Sequence, residues 1–120
     1  MDKEERLRRN SQFAEIREHG ETWACDLVVL KAVPNGLGRN RYGFVAGKRL
    51  GKAVARNRVK RLLREVARST PTKPGWDVVF IARNRAVAAN YQQVASAVTR
   101  LLRRAQILAD GSEAKRMSRA

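Results

Sequence analysis

The sequence has little of the chemistry that hydrolytic enzymes and metalloproteins use. Its one cysteine, Cys25, cannot form an internal disulfide or a zinc site built from several cysteines. Its one histidine, His19, excludes a His–His metal pair and has no evident acid–base partner. Acidic residues number 11 against 26 Lys and Arg, too few to suggest a two-metal nuclease site. We therefore expect no catalytic residue and no metal ligand in the protein.

Long apolar runs are also missing. No uncharged stretch approaches the length that spans a bilayer, and residues 1–9 lack the apolar segment of a secretory signal. The sequence thus favours a soluble, reduced, cytoplasmic protein that needs no membrane and no obligate protein partner.

In contrast to these absences, the sequence has a large excess of positive charge. The 120 residues are 43% apolar, enough for one core, yet they carry a formal net charge of +15. Such self-repulsion indicates a polyanionic partner, of which nucleic acid, an anionic membrane and an acidic protein are the candidates. We predict a single domain over residues 1–120, with an ordered core at about 6–108 and flexible ends at 1–5 and 110–120.

About half of the excess charge lies in residues 48–68, which carry nine Lys or Arg and one acid, Glu65. The apolar residues of this block recur at helical spacing, at Ala55, Val59, Leu62, Leu63, Val66 and Ala67. On that helix Asn57, Arg61, Arg64 and Arg68 fall opposite the apolar stripe, Arg58 and Lys60 flank them, and Arg56 lies near the border of the stripe. The pattern predicts an amphipathic helix with its apolar stripe on a core and a basic outer face.

Arginine dominates this face, and its planar guanidinium group suits phosphate. Calmodulin-target and membrane-surface helices usually carry Trp or Phe on their apolar face, whereas this stripe is Ala, Val and Leu. A helix that reads the DNA major groove would carry several base-reading side chains, and only Asn57 is present. RNA binding dominated by phosphate contacts is favoured. Phe13 and Phe44 are candidates for base stacking, and core packing is at least as good an interpretation of each.

The rest of the chain predicts helices packed on a small mixed sheet, as an α/β sandwich. The predicted elements are a helix from about 10 to 19, one or two strands in 22–33, strands at 42–46 and 76–82, and a helix over 91–108 that opens with a capping box at Asn90 and Gln93. Cys25 falls in a strand pattern, where a small buried thiol is expected.

One stretch carries a more specific resemblance. Residues 48–65, KRLGKAVARNRVKRLLRE, resemble the signature of the bacterial ribonuclease P protein component, whose centre is the motif Arg56-Asn57-Arg58. The similarity extends from about Arg6 to Leu102. Its flanks include Arg6–Asn10 with Phe13 and Gly20, then Gly43, then Gly75 with Asp77, and residues 81–83.

The resemblance implies a two-layer α+β sandwich in the order α-β-β-β-α-β-α, with a four-stranded mixed sheet. It also implies a left-handed βαβ crossover through the basic helix, against the usual right-handed rule. The implied function is that of a protein cofactor for a catalytic RNA, which removes the 5′ leader from precursor tRNA by endonucleolytic cleavage. The implied partners are therefore the catalytic RNA and precursor tRNA, and Mg²⁺ is expected at the RNA.

Two RNA-binding surfaces follow from the resemblance. The residues expected to contact the catalytic RNA are Lys48, Arg49, Lys52, Arg56, Asn57, Arg58, Lys60, Arg61, Arg64 and Arg68. A cleft between the first helix and the sheet is expected to hold the leader, at Phe13, Arg17, Val29, Lys31 and Val45. Arg17 and Lys31 stand where many family members have an aromatic residue, so phosphate pairing replaces some stacking here. The alternative function is a structural, ribosome-type RNA-binding protein with no role in cleavage.

Overall fold

A computed structural model describes residues 6–7 and 10–109 of the chain, and the predicted flexible ends at 1–5 and 110–120 lie outside these ranges. The main elements are α1 (Asn10–His19), β1 (Glu21–Ala24), β2 (Val28–Pro34), β3 (Arg41–Val45), α2 (Ala53–Ser69), β4 (Trp76–Ala82) and α3 (Tyr91–Arg104). Short 3₁₀ turns at Lys48–Leu50 and Asn84–Ala88 precede α2 and α3. The element order predicted from the resemblance is confirmed. Residues 22–33 contribute two strands.

The four strands form one mixed sheet in the order β1-β2-β4-β3. β2 pairs antiparallel with β1 and with β4, whereas β3 pairs parallel with β4. Parallel neighbours need a crossover connection, and α2 provides it. The left-handed sense of this crossover stays a prediction.

One face of the sheet carries α2 and α3 over the main core. Alternate strand residues point to this face, among them Leu30 and Phe80, and both are fully buried. The rings of Tyr42, Phe44 and Phe80 stack with centroids 6.0 to 6.4 Å apart. Phe44 is partly buried and packs against the main core, which supports the core-packing interpretation; its role as a base-stacking platform stays a prediction.

The other face of the sheet carries α1, so a short third layer is added to the two-layer arrangement that the resemblance implied. Ile16 and Leu7 are buried there against Val79, and Phe13 packs beside them. The amide of Leu7 donates to the carbonyl of Tyr42 at 2.8 Å, so the segment before α1 is held on the outer edge of β3.

The ends of α3 depend on local hydrogen bonds. The predicted capping box is confirmed: the Gln93 amide donates to the Asn90 side chain, and the Asn90 amide donates to the Gln93 side chain, each at 2.9 Å. The helix ends at Arg104, short of the predicted Leu108, because Gln106 takes a positive φ of 62° and reverses the chain. No helix in the described ranges is long and apolar enough to cross a membrane.

A buried ion pair ties β3 to the first residues of β4. Arg41 donates to the two carboxylate oxygens of Asp77 at 2.8 and 2.7 Å, and Asn35 donates to the same carboxylate at 3.0 Å. The hydrogen bond to Asp77 raises the pKa of Arg41 above its ordinary value. Asp77 thus has a structural partner although it is isolated in the sequence.

Candidate nucleic-acid interfaces

The basic helix α2 buries its apolar stripe as predicted, but Arg64, which the pattern predicts for the outer face opposite the stripe, is half-buried on one flank. Val59, Leu63, Val66 and Ala67 are buried under it against the sheet and α3. Asn57, Arg61 and Arg68 are exposed on its outer face. The core therefore fixes which side chains of the helix face outward.

The cations of α2 have no acidic partner among the described residues. Within residues 6–7 and 10–109, no carboxylate lies within 4.0 Å of an α2 cation. The first turn of α2 contains no acid, and Glu65 is the one acid of the helix. Ordinary surfaces mix charges of both signs, so this face is built for an external anion.

A half-buried row of cations runs along one flank of α2. Arg56, Lys60 and Arg64 follow one another at i, i+4 and i+8, and each is half-buried. The Nε atoms of Arg56 and Arg64 are buried and have no hydrogen-bond partner. Their side chains lie against the protein, which limits their rotamers. The row therefore differs from Arg61, which is exposed.

Arg58 lies on the opposite flank and has a partner inside the protein. Its guanidinium donates to the carbonyls of Val87 and Ala89, each at 3.1 Å. These bonds tie α2 to the segment between β4 and α3. Arg58 therefore has a structural contact in addition to the RNA contact predicted for it, and two of its five N–H donors are already used.

The predicted cations ahead of α2 extend the same patch. Lys48 and Arg49 belong to the 3₁₀ turn, Lys52 is the N-cap of α2, and all three are exposed. Gly51 joins the turn to the helix with a φ of 123°, a conformation that side chains disfavour. The turn and the helix thus form one continuous basic surface.

The residues predicted for the leader lie on the opposite face of the sheet. Val29 pairs with Ile81, and Ile81 pairs with Val45, so the three form a row across β2, β4 and β3. Val29 and Ile81 are half-buried and Val45 is 36% exposed, because α1 does not cover this end of the strands. Ile81 is the middle residue of the row. It was not predicted as a site residue, because nothing distinguishes it within the apolar run 78–81.

Phe13 and Lys31 lie next to this row, at the adjacent position along the strands on the same face of the sheet. A Cβ at Gly43 would lie 2.8 Å from Cε1 of Phe13, so the ring rests on the bare backbone of β3. Lys31 pairs across the strands with Val79 and Thr22, and it is half-buried on the same face. Arg17 is exposed one helical turn after Phe13. Together these residues form an apolar strip that is bordered by two cations, Lys31 and Arg17.

The groups considered for catalysis lie apart from both surfaces. His19 is exposed at the end of α1, within 4.0 Å of the carboxylates of Glu15 and Glu18. Cys25 lies half-buried in the turn between β1 and β2, which corrects its placement in a strand. Across the described ranges, no three His, Cys, Asp or Glu side chains form a metal-binding group.

Comparison with known proteins gives one consistent family. The sequence profile of the family described as Ribonuclease P matches residues 1–106. The ribonuclease P protein component of Dehalococcoides mccartyi is 44% identical over 108 residues, which is 90% of each chain. That of Herpetosiphon aurantiacus is 44% identical over 112 residues, covering 92% of this chain and 91% of the relative.

Solved structures agree with the sequence relatives. The RNase P protein of Staphylococcus aureus superposes with a TM-score of 0.78 at 28% identity, over 88% of this chain and 98% of the other. The RNase P protein from Thermotoga maritima gives a TM-score of 0.75 at 30% identity, over 83% and 96% of the two chains. The mixed four-stranded sheet with three helices is thus shared with these proteins.

Proposed function

Because this chain belongs to the ribonuclease P protein family, we propose that it binds the catalytic RNA of ribonuclease P and assists removal of the 5′ leader from precursor tRNA. The observation that carries the proposal is the placement of two surfaces on opposite faces of one sheet. The basic helix α2 lies on one face, and the apolar strip beside α1 lies on the other.

The α2 face suits the folded catalytic RNA. Arg61 and Arg68 project from it without acidic partners in the part of the chain that the structure describes, and the half-buried row through Lys60 adds further cations. Each phosphate contact releases condensed counterions, so affinity falls steeply as salt rises. Because most of these contacts go to phosphates, they position the protein on the RNA without reading its sequence.

The strip beside α1 suits a single strand. Val29, Ile81 and Val45 offer a shallow apolar surface, and the ring of Phe13 adjoins it. An extended leader would lay its bases on this surface, while Lys31 and Arg17 hold its phosphates. Mature tRNA has no leader, so these contacts would favour the precursor.

The bond-breaking step is assigned to the RNA. The Mg²⁺ expected at the catalytic RNA would supply activation of the attacking water and stabilisation of the leaving oxygen. The protein would contribute by offsetting phosphate repulsion between the catalytic RNA and its substrate. We therefore expect the largest effect of the protein at low Mg²⁺, where the ions offset that repulsion least.

Reconstitution tests this function. Catalytic RNA from the same genome is mixed with 5′-labelled precursor tRNA at low Mg²⁺, with and without the protein. Release of the leader should require the RNA and increase with the protein. Cleavage by the protein alone would place the chemistry in the protein and contradict the proposal. Tight RNA binding without stimulation would support the alternative of a structural, ribosome-type RNA-binding protein.

A further inference from the structure

A second basic groove lies outside α2 and outside the cleft beside α1. Its first part is a pocket where the end of β4 meets the turn before α2, lined by Asp26, Arg49, Arg83, Asn84 and Arg85. Its second part, of about 670 Å³, continues between the β1–β2 turn and α3, past Arg85, Gln92, Ser96 and Arg100. Arg85 and Asp26 line both parts, so the two form one surface, which we call the β4–α3 groove.

The β4–α3 groove is cationic. Arg49, Arg83, Arg85 and Arg100 line it, and Asp26 is its one acid. Asp26 lies 3.4 Å from Arg85, but both side chains are more than three-quarters exposed, so the pair is weak and easily exchanged. The groove therefore keeps a net positive charge that the described residues do not neutralise.

Apart from its arginines, the second part of the groove is lined by apolar residues, among them Leu27, Ala88 and Ala97, and by a few polar ones, so the arginines are the groups that favour phosphate. Gln92 and Ser96 are exposed polar residues on α3. The Asn90 capping box already satisfies the amide of Gln93 at the start of α3. An anion in the groove would thus be held mainly by side chains, with arginine as the strongest partner for a phosphodiester.

The position of the groove indicates which RNA would fill it. Arg49 belongs both to the groove and to the Lys48–Leu50 turn that extends the α2 patch. α3 packs on the same face of the sheet as α2, opposite α1. A strand bound on α2 can therefore enter the groove by way of Arg49, whereas a leader beside α1 lies across the sheet from it.

We propose that the β4–α3 groove is a further phosphate-binding site for the catalytic RNA, with Arg85 and Arg100 as its principal contacts. The proposal rests on the proposed function, because it takes the RNA already assigned to α2 as the ligand. It extends that interface from one helix to a surface that continues past Arg49 and along α3.

The test compares two doubly substituted proteins whose charge is reduced equally. Arg85→Gln with Arg100→Gln removes two cations from the groove. Arg39→Gln with Lys73→Gln removes two from the loops at the other end of the sheet. The dissociation constant for the catalytic RNA is measured over a series of KCl concentrations, and thermal melting checks that each protein is folded.

We expect the groove variant to bind the catalytic RNA on the order of tenfold more weakly than the control pair in moderate salt. The salt slope of its binding should fall by about 1 for each phosphate that the protein no longer neutralises. Its discrimination between precursor and mature tRNA should equal that of the unsubstituted protein. Equal affinity and slope in the two double variants would overturn the proposal. So would a weakening confined to precursor tRNA binding, because that would assign the groove to the substrate.

A third variant separates this proposal from the proposed function. Arg61→Gln removes an exposed cation of α2 and should weaken binding to the catalytic RNA. If Arg61→Gln weakens binding and the groove variant does not, the assignment of the β4–α3 groove to the catalytic RNA is wrong, and the proposed function stands. If none of the variants weakens binding, the assignment of the catalytic RNA to the α2 face is wrong as well.

Discussion

The ring of Phe13 rests directly on the backbone of Gly43, with no room for a side chain between them. A Cβ at position 43 would lie 2.8 Å from Cε1 and 3.0 Å from Cζ of that ring. This close approach places an aromatic residue of α1 beside the open row Val29, Ile81 and Val45. A side chain at position 43 would therefore displace the ring of Phe13.

Gly43→Ala should displace the Phe13 ring and weaken leader binding. We expect the preference of the reconstituted enzyme for precursor over mature tRNA to fall several-fold, while affinity for the catalytic RNA is unchanged. The free energy of unfolding should fall by about 1–2 kcal/mol, because the ring must move. Equilibrium binding of both tRNAs and chemical denaturation measure the two effects.

Gly38→Ala is the matched control for this change. A Cβ at Gly38 meets nothing within 4 Å, and its φ is not in the positive range. If the two alanine variants discriminate equally well between precursor and mature tRNA, Phe13 has no part in the leader cleft.

Reversing a charge on the outer face of α2 should weaken binding of the catalytic RNA and not of the leader. Arg61→Glu should weaken binding to the catalytic RNA and make its salt dependence shallower, since the protein then neutralises fewer phosphates. Binding isotherms at several KCl concentrations measure both effects. Lys73→Glu, an equal reversal at an exposed position beyond the C-terminal end of α2, should have a much smaller effect. Equal effects would mean that total charge, and not the α2 face, determines affinity.

Arg58→Lys should show how much the hydrogen bonds of Arg58 contribute to stability apart from its positive charge. Lysine keeps the positive charge but cannot replace the two bonds of the guanidinium to Val87 and Ala89. We expect the free energy of unfolding to fall by about 1 kcal/mol because these bonds are partly exposed. Urea denaturation measures this change. A stability equal to that of the unsubstituted protein would show that the Arg58 bonds do not hold α2 on the segment before α3.

The Arg41–Asp77 pair should stabilise the fold without affecting RNA binding. Asp77→Ala leaves the half-buried Arg41 without its carboxylate, and we expect a cost of about 2 kcal/mol, because the lost hydrogen bonds are charge-assisted but Arg41 stays accessible to water. Asp26→Ala is the control, because its exposed pair with Arg85 should contribute less than about 1 kcal/mol. Denaturant midpoints compare the two. A destabilisation by Asp77→Ala no greater than that by Asp26→Ala would contradict the structural role.

The sequence predicts the basic helix well because local periodicity determines it. Val59 and Leu63 recur at helical spacing, and they are the residues that α2 buries. The row at the leader cleft depends instead on strand register, which joins Val29, Ile81 and Val45 from three distant segments. Composition also does not show that Phe13 and Phe44 have different environments, because only the sheet topology places them on opposite faces of the sheet. The carbonyl partners of Arg58 depend on a 3₁₀ turn that has no distinct sequence pattern.

Site-specific crosslinking tests the separation of the two RNA surfaces most directly. Cys25 is replaced by serine, and a single cysteine with a photocrosslinker is introduced by Val45→Cys in one protein and by Arg61→Cys in another. Each is assembled with the catalytic RNA and precursor tRNA that is labelled in the leader. We expect crosslinks from position 45 to the leader and from position 61 to the catalytic RNA. Crosslinks from both positions to the same RNA, or the reverse assignment, would contradict it.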